Sequence, residues 1–290
     1  MIFSSLKKTM GLASIAALAL GAVVARAEQA PKDATLVING DTKLVTHVKP
    51  PSYIPGLSDA YSGWRFRATE TQALETDDFD NPGMIFVDQA KDTWNAVDGT
   101  EGKSCASCHG APEESMKGVR ASYPKWDPAM GKVATIEMEV NNCRTTRMGA
   151  KAWKYTGKDM TDMSALITLQ SRGMPVDVAV NGPAKSTWEH GKEMYYTRTG
   201  QLELSCASCH EDHYGDLIRA ETLSQGQING FPTYRLKNGK LNSIHARFKG
   251  CVRDTRAETY KPGSADFVAL ELYVASRGNG LSVEGPSVRN

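Results

Sequence analysis

The pentapeptide CASCH occurs twice in this chain of 290 residues, at residues 105–109 and 206–210. In each copy two residues separate a pair of cysteines, and a histidine follows the second cysteine directly. A c-type haem is attached at such a C-x-x-C-H pattern: the two thiols form thioethers with the porphyrin vinyl groups, and the histidine binds the iron. We therefore predict two covalently bound c-type haems, one at each copy.

Each copy supplies two attachment cysteines and one axial histidine. A zinc site is one alternative, but it requires about four protein ligands, which the residues around each copy do not cleanly supply. A disulfide within C-x-x-C is another alternative, but it has no need of the histidine. The haem interpretation assigns Cys105, Cys108 and His109 to the first haem, and Cys206, Cys209 and His210 to the second.

The second axial ligand of each iron is less obvious from the sequence. Small cytochromes c use a downstream methionine, yet the last methionine of this chain, Met194, precedes His210. The ligands that remain downstream of His210 are His213, His245 and Cys251. We expect the two spare histidines to be exposed to solvent or to contact a haem propionate, which leaves Cys251 as the stronger candidate.

The first copy is followed by several methionines and by Cys143, and no histidine lies between His109 and His190. Cysteine is thus the only ligand type at a corresponding place after both copies. We predict Cys143 as the second ligand of the first iron and Cys251 as that of the second, and a thiolate ligand lowers the potential of an iron. A disulfide between Cys143 and Cys251 is the alternative, since an oxidising compartment permits it.

The elements that position these residues also repeat. A tryptophan, CASCH, a lone cysteine and the tripeptide SRG follow one another in the same order twice, which indicates two homologous modules joined near residues 175–183. Each module closes with a predicted helix ended by a glycine, at residues 161–172 and 264–277. A weak alternating pattern at residues 134–140 predicts a strand. The fold class is therefore mainly α. The first module contains Trp94, Cys143 and residues 171–173, and the second contains Trp188, Cys251 and residues 276–278.

The first 27 residues have the features of a cleaved secretory signal. Lys7 and Lys8 precede an apolar stretch that ends in small residues, and we predict cleavage after Ala27. The stretch is short for the roughly 20 apolar residues that span a bilayer, so we expect an exported, periplasmic protein without a membrane anchor. Of 34 basic and 33 acidic residues, the signal removes three basic ones. The small acidic excess that remains argues against nucleic acid as a partner.

These motifs resemble the dihaem type of the SoxA family, whose members are the catalytic cytochrome subunits of SoxAX complexes in bacterial sulfur oxidation. The resemblance covers the region after the signal and includes both CASCH copies, the lone cysteines and the stretch RFKGC at residues 247–251. It implies two class I cytochrome c-like domains in tandem, at residues 93–178 and 179–290, after an N-terminal extension at residues 28–92. The second domain would be the catalytic one.

The resemblance also implies an activity and partners. The family joins thiosulfate oxidatively to a cysteine of a SoxY-type carrier protein, an L-cysteine S-thiosulfotransferase reaction. Cys251 would be both an iron ligand and the catalytic sulfur, carried as a persulfide, and Arg247 would bind the anionic substrate. A smaller SoxX-type monohaem cytochrome would form a heterodimer with the chain, and a soluble cytochrome c would accept the electrons. Some family members lack the first haem, which implies a smaller part for that haem in turnover.

Two other functions compete with this interpretation. A non-catalytic dihaem electron carrier of the periplasm would have the same two haems but higher potentials. A dihaem peroxidase typically has one methionine-ligated haem and one open histidine haem, and the absence of methionine after His210 argues against it. The sequence leaves the role of residues 28–92 unassigned.

Overall fold

The computed structural model describes residues 34–290, so the predicted signal peptide lies outside the described residues. Within them the helices are α1 Thr69–Ala73, α2 Met84–Asn95, α3 Cys105–His109, α4 Pro112–Ser115, α5 Ile136–Arg147, α6 Lys158–Leu169, α7 Lys185–Tyr196, α8 Cys206–His210, α9 Ile244–Asp254 and α10 Ala265–Ser276. The strands are β1 Leu36–Ile38, β2 Thr42–Leu44, β3 His47–Val48, β4 Ala60–Tyr61, β5 Lys125–Asp127, β6 Lys132–Ala134, β7 Leu217–Ile218, β8 Glu221–Thr222, β9 Thr233–Arg235, β10 Lys240–Asn242 and β11 Ser287–Arg289.

The same order of helices occurs twice. In the first module α2 packs against the closing helix α6, and in the second α7 packs against α10. The short helices α3 and α8 hold the two CASCH copies, while α5 and α9 contain the lone cysteines. The mainly α fold is thus confirmed, and the repeat seen in the sequence is a repeat of structure. Along the described residues, none of the helices is long and apolar enough to cross a membrane.

The closing helices begin and end close to their predicted bounds, whereas the strand predicted at residues 134–140 is wrong. Only Ala134 belongs to a strand there, and α5 begins at Ile136. The side chain of Thr135 caps this helix by accepting a hydrogen bond from the Met138 amide. Acidic residues in the first turn of α5 interact favourably with the helix dipole. Capping and charge thus favour a helix here over the strand that the alternating pattern predicted.

A β-hairpin precedes each cysteine-bearing helix, and each hairpin packs on the closing helix of the other module. The two modules thus exchange hairpins. The β5–β6 hairpin precedes α5, and the β9–β10 hairpin precedes α9. Strand β6 of the first module packs on α10 of the second, and β10 of the second packs on α6 of the first. Each module therefore completes the apolar core of the other.

The N-terminal extension packs mainly on the second module. Val45 and Ser282 exchange two hydrogen bonds of 2.9 and 3.0 Å. The Asn81 side chain donates to the Pro286 carbonyl at 2.9 Å, and Thr71 bonds the side chain of the last residue, Asn290, at 3.1 Å. The predicted boundary between residues 92 and 93 falls within α2, which begins at Met84. The extension is thus a support for the second module as well as the lead into the first.

A glycine turn before each CASCH copy contacts the end of the cysteine-bearing helix. Gly99 and Gly200 have positive φ angles of 77° and 73°. A Cβ atom on either would lie 2.2 Å from a carbonyl oxygen, that of Met148 for Gly99 and that of Thr255 for Gly200. Only glycine allows both the backbone angle and this approach. The turns therefore fix the distance between the CASCH segment and the lone cysteine in both modules.

Candidate functional site

Each CASCH copy is a single helical turn with a capping box. Ser104 accepts a hydrogen bond from the Ser107 amide at 3.0 Å, and the Ser107 hydroxyl lies 3.0 Å from the Ser104 amide. Ser205 and Ser208 form the same pair in the second copy. These caps satisfy amide donors at the start of the turn, which stabilises a helix too short to form alone. The serine before each motif therefore presets the arrangement of the cysteines and the histidine.

The lone cysteines lie beside the motif of their own module. Burial raises the pKa of Cys105, and the neighbouring Cys143 raises it further. In the second module burial, followed by the effect of Cys251, raises the pKa of Cys206 to about 12. The lone cysteine is thus near enough to the motif of its own module to affect the pKa of a motif cysteine.

The structure supports neither of the two alternatives to haem attachment, a disulfide and a zinc site. All six cysteines are free thiols in the structure, so Cys143 and Cys251 do not form a disulfide. Between residues 34 and 290 no group of three or more His, Cys, Asp or Glu side chains could hold a metal ion directly. The zinc alternative therefore has no ligand set in this part of the chain.

The two motif histidines differ in how firmly they are held. His210 donates from Nδ1 to the Ser224 carbonyl at 2.7 Å, which leaves Nε2 unprotonated and available as a metal ligand. Burial lowers the pKa of His210 to about 4, so the ring is neutral. His109 is exposed and packs beside Trp94 at 5.8 Å, without a ring hydrogen bond among the described residues. The histidine of the second motif is thus held by more contacts than that of the first.

Gly226 lies against the ring of His210, so its replacement tests how firmly that ring is held. Its φ angle is 73°, and an added Cβ would lie 2.9 Å from His210 Cγ. We expect Gly226→Ala to displace the ring and alter the absorption spectrum of the second haem. The positive φ alone costs roughly 1–2 kcal/mol. Gly131→Ala is the matched control, because Gly131 has a φ of 62° and open space around it. Equal spectra for both variants would contradict the prediction.

Helix α9 brings Arg247 and Cys251 onto one face, as their four-residue separation requires. The RFKGC stretch is helical throughout, and Ser243 caps the helix. The Arg247 side chain forms no hydrogen bond or ion pair with any described residue, and the proximity of Cys251 raises the pKa of Arg247 against the opposing effect of burial. A guanidinium without a partner beside a cysteine is suited to bind an anion at the sulfur.

Two further arginines near this face were missed by the sequence analysis. Arg67, from the N-terminal extension, is buried and donates to the Thr222 carbonyl of β8, while its Nε atom has no partner. Arg235 lies 3.3 Å from Glu221 of the same strand. Burial, together with neighbouring arginines that include Arg247, lowers the pKa of Arg67 to about 10. No motif marks these residues, because only the folded extension brings Arg67 here.

Arg277 of the second SRG tripeptide supports the residue that follows His210. Its guanidinium pairs with Glu211 and lies 4.3 Å above the ring of Tyr195. The corresponding Arg172 of the first SRG pairs instead with Asp78 of the N-terminal extension, at 2.6 Å. The repeated tripeptide was the sequence signal for both arginines. Their different partners add to the asymmetry between the two sites.

The donor set of each module fits a covalently attached haem. Two thiols and a histidine stand on one turn, and a further thiol, from a different helix, lies beside them. The neutral Nε2 of His210 and the sulfur of Cys251 are soft or borderline ligands suited to iron. Thiols and imidazole in this spacing are the residues that would hold a covalently attached porphyrin. The fold and the site define a c-type cytochrome with two domains in tandem.

Comparisons with known proteins agree with this class and specify it. The family model described as SoxA/TsdA, cytochrome c domain, matches residues 89–176 and 190–283. The chain is 60% identical over 271 residues to the L-cysteine S-thiosulfotransferase subunit SoxA of Rhodovulum sulfidophilum, covering 93% of this chain and 94% of that protein. The protein of the same name from Paracoccus pantotrophus is 58% identical over 288 residues, with 98% of each covered.

A solved structure gives the same result. The crystal structure of SoxXA from P. pantotrophus superposes with a TM-score of 0.87 at 58% identity, covering 90% of this chain and all of the matched chain. The chain belongs to the SoxA family. The predicted family and the predicted tandem cytochrome fold are thereby confirmed, and the cytochrome c domain implies covalently bound haem iron.

Proposed function

We propose that this chain is the catalytic subunit of a thiosulfotransferase that joins thiosulfate to a cysteine of a SoxY-type carrier protein. The single observation that supports it most is Arg247, an arginine without a partner on the same helical face as Cys251. Relatives at 58% and 60% identity are named L-cysteine S-thiosulfotransferase subunit SoxA. The unpartnered arginine and the family name therefore point to the same reaction.

The overall reaction is a two-electron oxidation. The terminal sulfur of thiosulfate forms a sulfur–sulfur bond with the carrier cysteine, the S–H bond of that cysteine breaks, and one proton and two electrons are released. A site for this reaction needs an anion-binding group, a nucleophilic sulfur and an outlet for electrons. When bound, the c-type haem supplies that outlet, one electron at a time.

The residues of α9 perform the other two tasks. Arg247 offers a forked pair of N–H donors to the sulfonate oxygens and so places the terminal sulfur of thiosulfate near Cys251. Thiosulfate is first bonded through its terminal sulfur to Cys251, with the loss of two electrons. The carrier thiolate then attacks that terminal sulfur, the bond between it and Cys251 breaks, and the Cys251 thiolate leaves by thiol–disulfide exchange. Exchange returns Cys251 to its starting state. We further propose that Cys251 is carried as a persulfide in the mature protein, so that the outer sulfur of the persulfide takes the place of the cysteine sulfur in both steps.

The cofactors and partners follow from the same assignment. We propose two haems, the first held by Cys105, Cys108, His109 and Cys143, and the second held by Cys206, Cys209, His210 and Cys251. The likeness to a chain of a SoxXA structure supports a SoxX-type monohaem cytochrome as the partner subunit. A soluble cytochrome c would be the final acceptor, and the signal features of residues 1–27 support a periplasmic location.

Replacement of Cys143 tests the lesser part assigned to the first haem. A thioether ligand removes the negative charge that a thiolate brings to the iron, so we expect Cys143→Met to raise the potential of the first haem. Turnover should remain largely intact, since Arg247 and Cys251 lie in the other module. Redox titration and steady-state kinetics of the same sample measure both effects. Loss of most activity in a folded variant would place the first haem on the catalytic path.

Mass spectrometry of the mature protein tests the proposal directly. We expect a mass that corresponds to cleavage after Ala27, two attached haems, and one additional sulfur atom on the peptide that contains Cys251. A redox titration then separates the transferase from a non-catalytic electron carrier. Two potentials well below zero support the transferase, whereas a positive potential, together with failure to couple thiosulfate to a carrier cysteine, would favour the carrier.

A further inference from the structure

A buried polar cluster lies between the two modules, and none of its members takes part in the chemistry proposed above. Its centre is His245, which the sequence analysis expected at the surface or at a propionate but which is fully buried. Glu271 of α10 is also fully buried beside it. Arg120 and Tyr155 of the first module complete the cluster from the opposite side.

A hydrogen bond from the Gly263 amide fixes the tautomer of His245. The Gly263 amide donates to Nδ1 at 2.9 Å, so Nδ1 has no proton of its own and the ring proton resides on Nε2. Nε2 lies 3.0 Å from Glu271 Oε2, and the other carboxylate oxygen lies 3.5 Å from Arg120 Nη1. The Arg120 guanidinium and the Glu271 carboxylate thus lie as an ion pair in the interior, where an unpaired charge would be costly.

The first module holds the opposite face of the imidazole. Tyr155 stacks on His245 with ring centres 4.7 Å apart and planes inclined by 22°. Its hydroxyl lies 2.5 Å from the hydroxyl of Thr135, the residue that caps α5. Because α5 contains Cys143, the cluster joins the starts of the two helices that present the lone cysteines.

Because His245 belongs to α9, a movement of the cluster would also move the functional residues of that helix. His245 is the second residue of an uninterrupted helix of 11 residues that also contains Arg247 and Cys251. A hydrogen-bonded helix moves as one body, so a shift of its first turn displaces both functional side chains relative to His210 on α8. Misplacement by about 1 Å can reduce a reaction rate on the order of a hundredfold.

The first module has a simpler contact at the corresponding place. Glu137 is the second residue of α5, as His245 is of α9, and it accepts a hydrogen bond of 3.0 Å from Ser164 of α6. This pair involves two helices of the same module, whereas the His245 cluster spans both. The asymmetry provides a matched control for experiments on the cluster.

We propose that His245 is a positioning residue for the transferase, and that the first module acts on the catalytic helix through it. Arg120 forms an ion pair with Glu271, and Glu271 lies 3.0 Å from the imidazole. The Gly263 amide donates to the ring and Tyr155 stacks on its face, so α9 is located by contacts from both modules. The inference rests on the proposed function only for its effect on turnover. The coupling between modules stands on geometry alone.

The test compares three holoprotein variants. His245→Leu should lower kcat by about ten- to a hundredfold, shift the electron paramagnetic resonance signature of the second haem, and speed amide hydrogen exchange across residues 244–254. His245→Gln should restore most of each value, because its amide donates toward Glu271 and its carbonyl accepts from Gly263. Ser164→Ala, the matched control, should leave the second haem and kcat unchanged.

A variant pair in the first module tests the coupling itself. Tyr155→Leu removes the stacked ring and should shift the second haem signature, although it lies in the other module. Tyr155→Phe keeps the stacked ring and loses only the contact with Thr135, so it should leave the second haem signature unshifted. Folded His245→Leu with an unshifted signature and normal exchange would overturn the inference. Shifted signatures and exchange in a protein that never couples thiosulfate would overturn the proposed function and leave the inter-module coupling intact.

Discussion

Replacement of Cys251 by alanine is expected to abolish thiosulfate coupling and to change the spectrum of the second haem in the same variant. One sulfur atom serves both as iron ligand and as the centre to which thiosulfate is bonded, so a single change removes both. The first haem should keep its spectrum, because Cys143 lies beside the other motif. Absorption spectra and coupling assays on one preparation measure these outcomes together.

Cys143→Ala is the matched control for this variant. It should change only the first haem and leave coupling measurable, which separates loss of a ligand from loss of the catalytic sulfur. If Cys251→Ala left the second haem low-spin with an unshifted spectrum while coupling continued, Cys251 would be neither ligand nor catalyst. The transferase assignment would then be wrong.

Replacement of Arg247 by alanine should lower kcat/KM by about one to two orders of magnitude with both haem spectra unchanged. A hydrogen bond to a charged group is worth roughly 1.5–3 kcal/mol, which corresponds to that loss. The Arg247 side chain forms no hydrogen bond or ion pair within residues 34–290, so its removal breaks no such contact and should not unfold the protein. Steady-state kinetics with varied thiosulfate provide the measurement.

Two further variants make this prediction specific. Arg247→Lys should restore activity only in part, because an ammonium group lacks the planar fork that matches sulfonate oxygens. Arg253→Ala, in the same helix, should have little effect, since Arg253 is exposed and its side chain contacts only its neighbour Asp254 among the described residues. Full activity in Arg247→Lys would show that positive charge alone suffices, and equal losses at both arginines would indicate a general attraction of anions.

Local features of the fold and site were predictable from the sequence because they depend on neighbours along the chain. The CASCH turns follow from a serine cap and a fixed cysteine spacing. The shared face of Arg247 and Cys251 follows from a four-residue separation once that segment is helical. The strand predicted at residues 134–140 is wrong, and the reason is also local. Thr135 caps the start of α5, so the chain forms a helix there.

Features that depend on contacts between segments far apart in the sequence could not be predicted from neighbours along the chain. Arg67 lies far from Arg235 in sequence, and their approach depends on the extension folding over the second module. His245 was one of several histidines without a motif, and its buried position depends on Glu271 and on Tyr155 from the other module. Lone polar residues gain their roles from tertiary contacts, which periodicity and composition do not encode.

The exchange of hairpins between the modules means that neither module is an independent folding unit. A polypeptide of residues 179–290 would lack β6, which packs on α10, and would leave that apolar face open to water. The polypeptide of the first module therefore has a structural part that does not depend on a cofactor. Loss of a haem from the first module would leave this segment still needed, because β6 would still pack on α10.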